Sequence, residues 1–314
     1  MVLFSVILPI FAVIGLGFMC QYRRWFTQSA VADFNRFVYY IAVPPLLFMA
    51  MASTPIESLT QARYLVAYLG ATVFIWIGLF FLLRPFFKAF EARFLLGLGA
   101  TFSNSVYLGI PLVQTALGTQ ATQAVVMIAL ATNVLFVGGS AVILSARQQS
   151  NVRGAVIEVL KNPMIGAIVL GLSVSALALP LPMGLERLLE LLAQAASPVA
   201  LFALGLTLGG VNAQTAQVSG ADQESWSWSG VLVTFKILIH PLAVWLACLA
   251  VGARAGETQV AVLVAALPAG ALAHLLAQRF GAQSLTVARG VMLGTALSLL
   301  TLSALLSSAM FAQL

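Results

Sequence analysis

Thr101-Phe102-Ser103-Asn104-Ser105-Val106-Tyr107-Leu108-Gly109-Ile110-Pro111-Leu112 is the stretch on which the reading of the chain turns. It lies inside a long apolar run, yet Asn104, Gly109 and Pro111 fall within eight residues of it. A Pro in a helix interior removes one backbone hydrogen bond and clashes with the preceding turn. If the run crosses a bilayer, the freed backbone groups are tolerated only where protein or a water-filled cavity satisfies them. A polar, broken helix in the middle of a span is therefore a candidate binding site.

The surrounding composition makes that run a membrane span. Of the 314 residues, 61% are hydrophobic and 8% are charged, whereas a soluble domain carries about 25% charged residues. Purely apolar runs near 20 residues long favour helices over barrel strands, which would alternate. The chain reads as an all-α integral membrane protein in contact with lipid. Its net charge of +6 is explained by Lys and Arg in cytoplasmic loops, so nucleic acid is not implied as a partner. Cys20 and Cys248 lie in separate apolar runs without ligand spacing, so neither a disulfide framework nor a metal site is expected. No cofactor motif is present. There is no Gly-rich phosphate loop with Lys, and no HExxH or GxSxG pattern, so ATP-driven and hydrolytic chemistry are not expected and the protein reads as no enzyme. The first apolar run lacks a basic leader and a small-residue cleavage pattern, and is read as a mature span.

Ten transmembrane helices are expected, at roughly 2–21, 35–53, 64–84, 94–117, 121–146, 164–181, 187–212, 229–252, 258–280 and 284–313. The loops after the odd-numbered spans, with their flanks, hold Arg23, Arg24, Arg36, Arg84, Lys88, Arg93, Arg147, Arg153, Lys161, Arg279 and Arg289; the opposite side holds Arg63, Arg187 and Arg254. The first set should face the cytoplasm, with both termini outside. A shift of 154 residues pairs Pro9 with Pro163, Gly17 with Gly171, Pro44 with Pro198, Leu47 with Leu201 and Phe48 with Phe202. A shift of 163 pairs Gly118 with Gly281, Gln120 with Gln283 and Thr132 with Thr295. The expected organisation is a five-helix repeat over 1–146, a short polar cytoplasmic linker over 147–163 and a second repeat over 164–314. An odd number of spans per repeat makes the halves inverted, and inverted repeats with interrupted helices at the midplane mark transporters. The polar stretch 213–228 reads as a solvated loop, with Trp226 and Trp228 as interfacial anchors.

Within this frame the second half offers a counterpart to the opening stretch, Leu267-Pro268-Ala269-Gly270 followed by His274. If the repeats are inverted, the two broken spans can cross near the midplane. Helix N-termini exposed at such breaks present unpaired N–H groups and partial positive charge, which suits a carboxylate. Asn104 is costly in lipid and must find a partner or line a cavity. Thr132, Asn133 and Gln114 are polar positions with two open readings, cavity lining or helix–helix hydrogen bonding. His274 could respond to protons, or be a packing or interfacial residue. Lys236 and His240 lie one turn apart; snorkelling of Lys236 to the cytoplasmic surface is preferred over a counter-charge for substrate. All nine acidic residues fall in loops or at span ends, so no carboxylate serves as a proton relay or sodium ligand within a span.

Ser103 to Leu112 resembles the fourth-span motif of the auxin efflux carrier family, in its bacterial form without a long central loop. Tyr39-Tyr40-Ile41-Ala42-Val43-Pro44-Pro45-Leu46 resembles the second span of that family. Lys236 through His240-Pro241 and Leu267-Pro268-Ala269-Gly270 with Arg279-Phe280-Gly281 are similar to its eighth and ninth. The resemblance implies the fold of bile-acid sodium symporters: a scaffold of helices 1, 2, 6 and 7 and a core of helices 3–5 and 8–10, with helices 4 and 9 crossing. It implies an elevator motion in the cell inner membrane. It implies a small organic anion as substrate, such as malonate, malate or an auxin-like acid, bound at the crossover. Asn104 matches the carboxylate-contacting Asn of the family; Gly109, Pro111 and Pro268 shape the breaks; Ser53, Thr132 and Asn133 fall near pocket positions. The sodium symporters of that fold carry acidic residues near the crossover and this sequence has none there, which counts against sodium coupling; the coupling ion, proton or sodium, is left open. A homodimer through the scaffold is a further implication. The alternatives are a non-transporting membrane sensor or ligand-binding subunit, a sodium-coupled bile-acid-like symporter, and a channel.

Overall fold

The computed structural model describes residues 6–54, 63–217 and 223–311. Sixteen α-helices occupy them: α1 Leu8–Tyr22, α2 Gln28–Phe37, α3 Val43–Ala52, α4 Arg63–Leu82, α5 Phe90–Thr101, α6 Ile110–Leu117, α7 Thr122–Thr132, α8 Gly139–Arg147, α9 Val152–Leu160, α10 Pro163–Ala176, α11 Met183–Gln217, α12 Gln223–Thr234, α13 His240–Ala250, α14 Ala255–Ala265, α15 Ala271–Arg279 and α16 Ser284–Leu306. No β-strand forms among the described residues, and one isolated β-bridge does.

Proline placement explains much of this segmentation. Pro44, Pro111 and Pro241 each sit in the first turn of a helix, where the missing N–H is not needed. Each follows a single π-helical turn, at Val38–Ala42, Ser105–Gly109 and Phe235–Ile239. In all three the residue before the Pro donates five residues back: Val43 to Val38, Ile110 to Ser105, His240 to Phe235. The widened turn relieves the clash a Pro ring makes with the preceding turn. Pro111 therefore starts a helix, and the true interruption of the first broken span lies earlier, at Phe102–Asn104.

Among the described residues, six helical runs are long and apolar enough to cross a membrane: Ser29–Ala52, Arg63–Leu82, Thr119–Arg147, Met183–Gly210, Trp226–Ala250 and Ser284–Leu306. A seventh arises if α9 and α10, bent by 42°, are one span. The other expected spans are short for identifiable reasons. The stretches 94–117 and 258–280 are broken in the middle, and α1 borders residues outside the described set. Phe74, Val66 and Leu300 stand exposed on such runs, as apolar side chains facing lipid do. The molecule is an integral, multi-pass membrane protein.

The polar stretch 213–228 is not the loop the sequence suggests. Helix α11 runs on to Gln217 and α12 begins at Gln223, while 218–222 lie outside the described residues. Trp228 packs edge-on against Phe86 and Phe87, and Trp226 lies under the Arg289 guanidinium. Likewise the polar linker after α8 contains α9, capped by Asn151, whose side chain accepts from the Gly154 N–H at 2.7 Å.

Two helix pairs pack backbone to backbone, α1 with α11 and α3 with α10. A Cβ on Gly17 would collide with the Phe202 carbonyl, and a Cβ on Gly171 with the Phe48 carbonyl. Small residues let membrane helices approach this closely. The two contacts exchange under the 154-residue shift read from the sequence: Gly17 becomes Gly171 and Phe48 becomes Phe202.

Candidate binding site at the two helix breaks

Two chain segments leave helical geometry where they meet. After α5 the chain extends at Phe102 (φ −75°, ψ 113°). Before α15 it extends at Gly270 (φ −74°, ψ 141°). Ser103 and Ala269 form an antiparallel bridge. The Asn104 N–H donates to the Pro268 carbonyl at 3.0 Å, and the Gly270 N–H donates to the Phe102 carbonyl at 3.0 Å. Each break thus satisfies backbone groups freed by the other, as a low-dielectric setting requires. Gly270 is required by packing: a Cβ there would press on the Phe102 ring at 2.6 Å.

The crossing forms the floor of a cavity of about 500 Å³. Its walls come from Val31, Ala32, Asn35, Arg36, Tyr39 and Tyr40 of the α2 segment, from Phe102–Tyr107, from Asn133, from Met164 of α10, from Leu204 and Thr207 of α11, and from Gly270–Leu272, His274 and Leu275. Asn104 is 6% exposed, and its Nδ2 has no hydrogen-bond partner; neither does the buried Ser105 Oγ. An unmet buried donor costs about 1–3 kcal/mol, so these two groups are poised for an acceptor. The helical turn beginning at Ser105 and helix α15 both start at the cavity. Their N-terminal N–H groups add partial positive charge. An anionic oxygen is the ligand atom this set fits.

The structure separates the site residues expected from sequence into two groups. Asn104, Asn133 and His274 line the cavity. Asn133 gives one amide hydrogen to the Ala129 carbonyl at 2.7 Å. The His274 Nδ1 lies 3.0 Å from the Ser284 carbonyl; a carbonyl only accepts, so Nδ1 carries the hydrogen and Nε2 of the neutral ring is bare. Pro268 and Gly109 act one layer back. Pro268 supplies the carbonyl for Asn104, and a Cβ on Gly109 would meet Leu267 at 2.8 Å. Pro111 is buried at the start of α6. Thr132 and Ser53 lie outside the lining. Thr132 Oγ1 donates to its own helix at Ile128 (2.7 Å), and exposed Ser53 ends α3 with its hydroxyl on the Met49 carbonyl (3.0 Å). Gln114 meets the Ser197 hydroxyl of α11 at 3.4 Å, which is the helix–helix reading. Thr132→Val should accordingly leave carboxylate affinity unchanged and cost about 0.5–1.5 kcal/mol of stability, the contribution of one buried hydrogen bond. Ligand titration and thermal unfolding of that variant check both.

Three wall residues escape the sequence reading: Asn35, Arg36 and Thr207. Asn35 Nδ2 donates to the Val31 carbonyl (2.9 Å) and to Thr207 Oγ1 (3.2 Å), fixing α2 against α11. Arg36 pairs with Asp33 at 3.3 Å, both exposed. The available signal was a polar first turn running into Tyr39-Tyr40 within one apolar stretch.

Lys236 departs from its expected place. It does not reach the surface; it is 1% exposed. Its Nζ donates to the carbonyl of Ala265, the last residue of α14, and lies 3.2 Å from His240 Nδ1. His240 Nε2 lies 2.9 Å from Thr72 Oγ1, which donates to the Tyr68 carbonyl at 2.7 Å. The Tyr68 hydroxyl is 2.9 Å from Ser103 Oγ at the break.

The family described as "Membrane transport protein" matches residues 2–306. The chain belongs to the auxin efflux carrier family of membrane transport proteins. It is 28% identical over 312 residues to a protein of Rhizobium meliloti (strain 1021) named "Putative malonate transporter", covering 96% of this chain and 94% of that one. It is 26% identical over 295 residues to "Uncharacterized transporter YfdV" of Escherichia coli (strain K12), covering 89% of each. The protein is a membrane transporter and not an enzyme, which accords with a site made of backbone ends and amides.

Proposed function

We propose that the protein is a secondary active transporter of small organic carboxylates, binding them where its two broken helices cross. The observation that carries this reading is the unpartnered Asn104 Nδ2 at the floor of the cavity, between two helix N-termini. The name of the Rhizobium relative makes malonate the first substrate to try. The finer architecture is ten transmembrane helices in two inverted five-helix repeats. The reciprocal Gly17–Phe202 and Gly171–Phe48 contacts support it, because a two-fold relation between halves exchanges them. The scaffold is then helices 1, 2, 6 and 7, represented by α1, α3, α10 and α11. The broken spans α5–α6 and α14–α15 belong to a core that moves against it as an elevator.

The cavity lies beside Arg36, on the side rich in Lys and Arg, so the conformation is inward-facing with both termini outside. A second cavity of about 490 Å³, lined by Tyr64, Gln120, Gln123, Arg254 and Glu257, would be the outer approach, because Arg254 belongs to the side poor in Lys and Arg. In a bacterial cell the membrane is the inner one. Proteoliposomes loaded with unlabelled malonate and given labelled malonate outside test the mechanism. Saturable, trans-stimulated uptake is the expected result. Binding without flux would instead make the protein a sensor, and flux without saturation or counterflow would make it a channel.

A further inference from the structure

The buried lysine behind the crossing is not used by the site as described, and its surroundings are unusual for a cation. Five described carboxylates that form ion pairs do so elsewhere: Asp33 with Arg36, Glu91 with Arg147, Glu158 with Arg279, Glu190 with Arg187 and Glu257 with Arg254. Lys236 instead borders a crevice between Gly99, Leu232, Val287, Gly290 and Gly294 that has no room for a water molecule. A charged amine in such a place is expensive unless hydrogen-bonded and matched by opposite charge.

The hydrogen-bond directions define its partners. The Thr72 hydroxyl hydrogen goes to the Tyr68 carbonyl, so Thr72 Oγ1 accepts from His240 Nε2. With the hydrogen on Nε2, His240 Nδ1 is a bare acceptor and Lys236 Nζ donates to it. The second Nζ hydrogen goes to the Ala265 carbonyl, at the C-terminal and negative end of α14. The chain of side-chain hydrogen bonds ends on the Tyr68 backbone carbonyl, which only accepts. Half-helix C-terminal ends with unwound carbonyls are where transporters of this general design hold a coupling cation.

We propose that Lys236 is a tethered cation occupying that position, so that carboxylate binding at the crossing needs no metal ion. The inference rests on the carboxylate reading of the cavity and goes beyond it by naming the counter-charge. Lys236 is a positioning residue that acts through the helix ends. By neutralising the negative end of α14, it leaves the positive ends of α15 and of the Ser105 turn to dominate the field at Asn104. The charge it brings is balanced when the substrate anion arrives a few residues away, across the break.

The experiment measures malonate affinity of the purified full-length protein in sodium chloride and in choline chloride, for wild type, Lys236→Met, Lys236→Ala and Asn104→Ala. Wild type should bind equally in the two salts. Lys236→Met should lose at least tenfold in affinity in both. Lys236→Ala, which opens a space beside the Ala265 carbonyl, should regain affinity on addition of sodium or ethylammonium, which a packing role would not predict. A sodium requirement in wild type overturns the proposal even if both Lys236 variants fail to fold. Wild-type affinity in Lys236→Met, alongside loss in Asn104→Ala, overturns it while leaving the carboxylate site intact. Wild type that binds no carboxylate in either salt overturns both.

Discussion

Asn104→Ala is expected to abolish most carboxylate binding and to leave the protein as stable as wild type or more so. The two halves of this result come from one geometry. The Asn104 Nδ2 is buried without a partner, an arrangement that costs about 1–3 kcal/mol. Removing the amide relieves that cost, while the backbone N–H of residue 104 still bonds the Pro268 carbonyl. In the proposed complex the same amide would donate to a carboxylate, and a hydrogen bond to a charged group contributes about 1.5–3 kcal/mol. Its loss lowers affinity roughly 10- to 100-fold. The paired readout is the unfolding temperature without ligand, unchanged or raised, and the ligand-induced shift, lost. A variant that unfolds early and still responds to ligand would reverse both assignments.

The second large effect is structural. Gly205→Val should prevent α1 and α11 from packing and remove most folded protein. A Cβ at position 205 already meets the Ile14 backbone carbonyl and lies 2.8 Å from the Phe18 N–H nitrogen. These are main-chain atoms of a facing helix, which cannot rotate aside as a side chain can. Overpacking a tight interior costs about 1–3 kcal/mol, and valine adds two methyl groups beyond the Cβ. Gly166→Val is the control, since a Cβ there meets nothing within 4 Å. Size-exclusion profiles and unfolding temperatures in detergent should separate the two variants clearly. Equal behaviour would mean that the close approach of α1 and α11 is not what holds these two helices together.

The breaks were legible in the sequence because their chemistry is local. Asn104 in an apolar run and Pro268 beside Gly270 announce an interruption whatever surrounds them. Pro111 misled about where the interruption falls, because a Pro reads the same at a helix start as in its interior; only the π-helical turn before it distinguishes the two. Lys236 was misplaced for a related reason. A lysine about two turns from an expected span end can snorkel or turn inward, and the choice rests on whether acceptors lie within its reach. His240, one turn on along the same span, is one acceptor that the spacing shows; the Ala265 carbonyl of α14 is the other, and that contact is not written in the periodicity. The α2 wall was missed because its polar last turn, with Asn35 and Arg36, sits at an expected span boundary. The 154-residue shift, found among cheap Leu matches, gained physical content when Gly17 and Gly171 proved to touch the backbones of Phe202 and Phe48.

The most direct test of the central claim is a structure of the full-length protein determined in saturating malonate. The anion should lie in the cavity between the two breaks, with one carboxylate within hydrogen-bond reach of Asn104 Nδ2 and of the N–H groups that open α15. Density for the anion elsewhere, for instance beside Arg254 in the opposite cavity, with the crossing empty, would contradict the account.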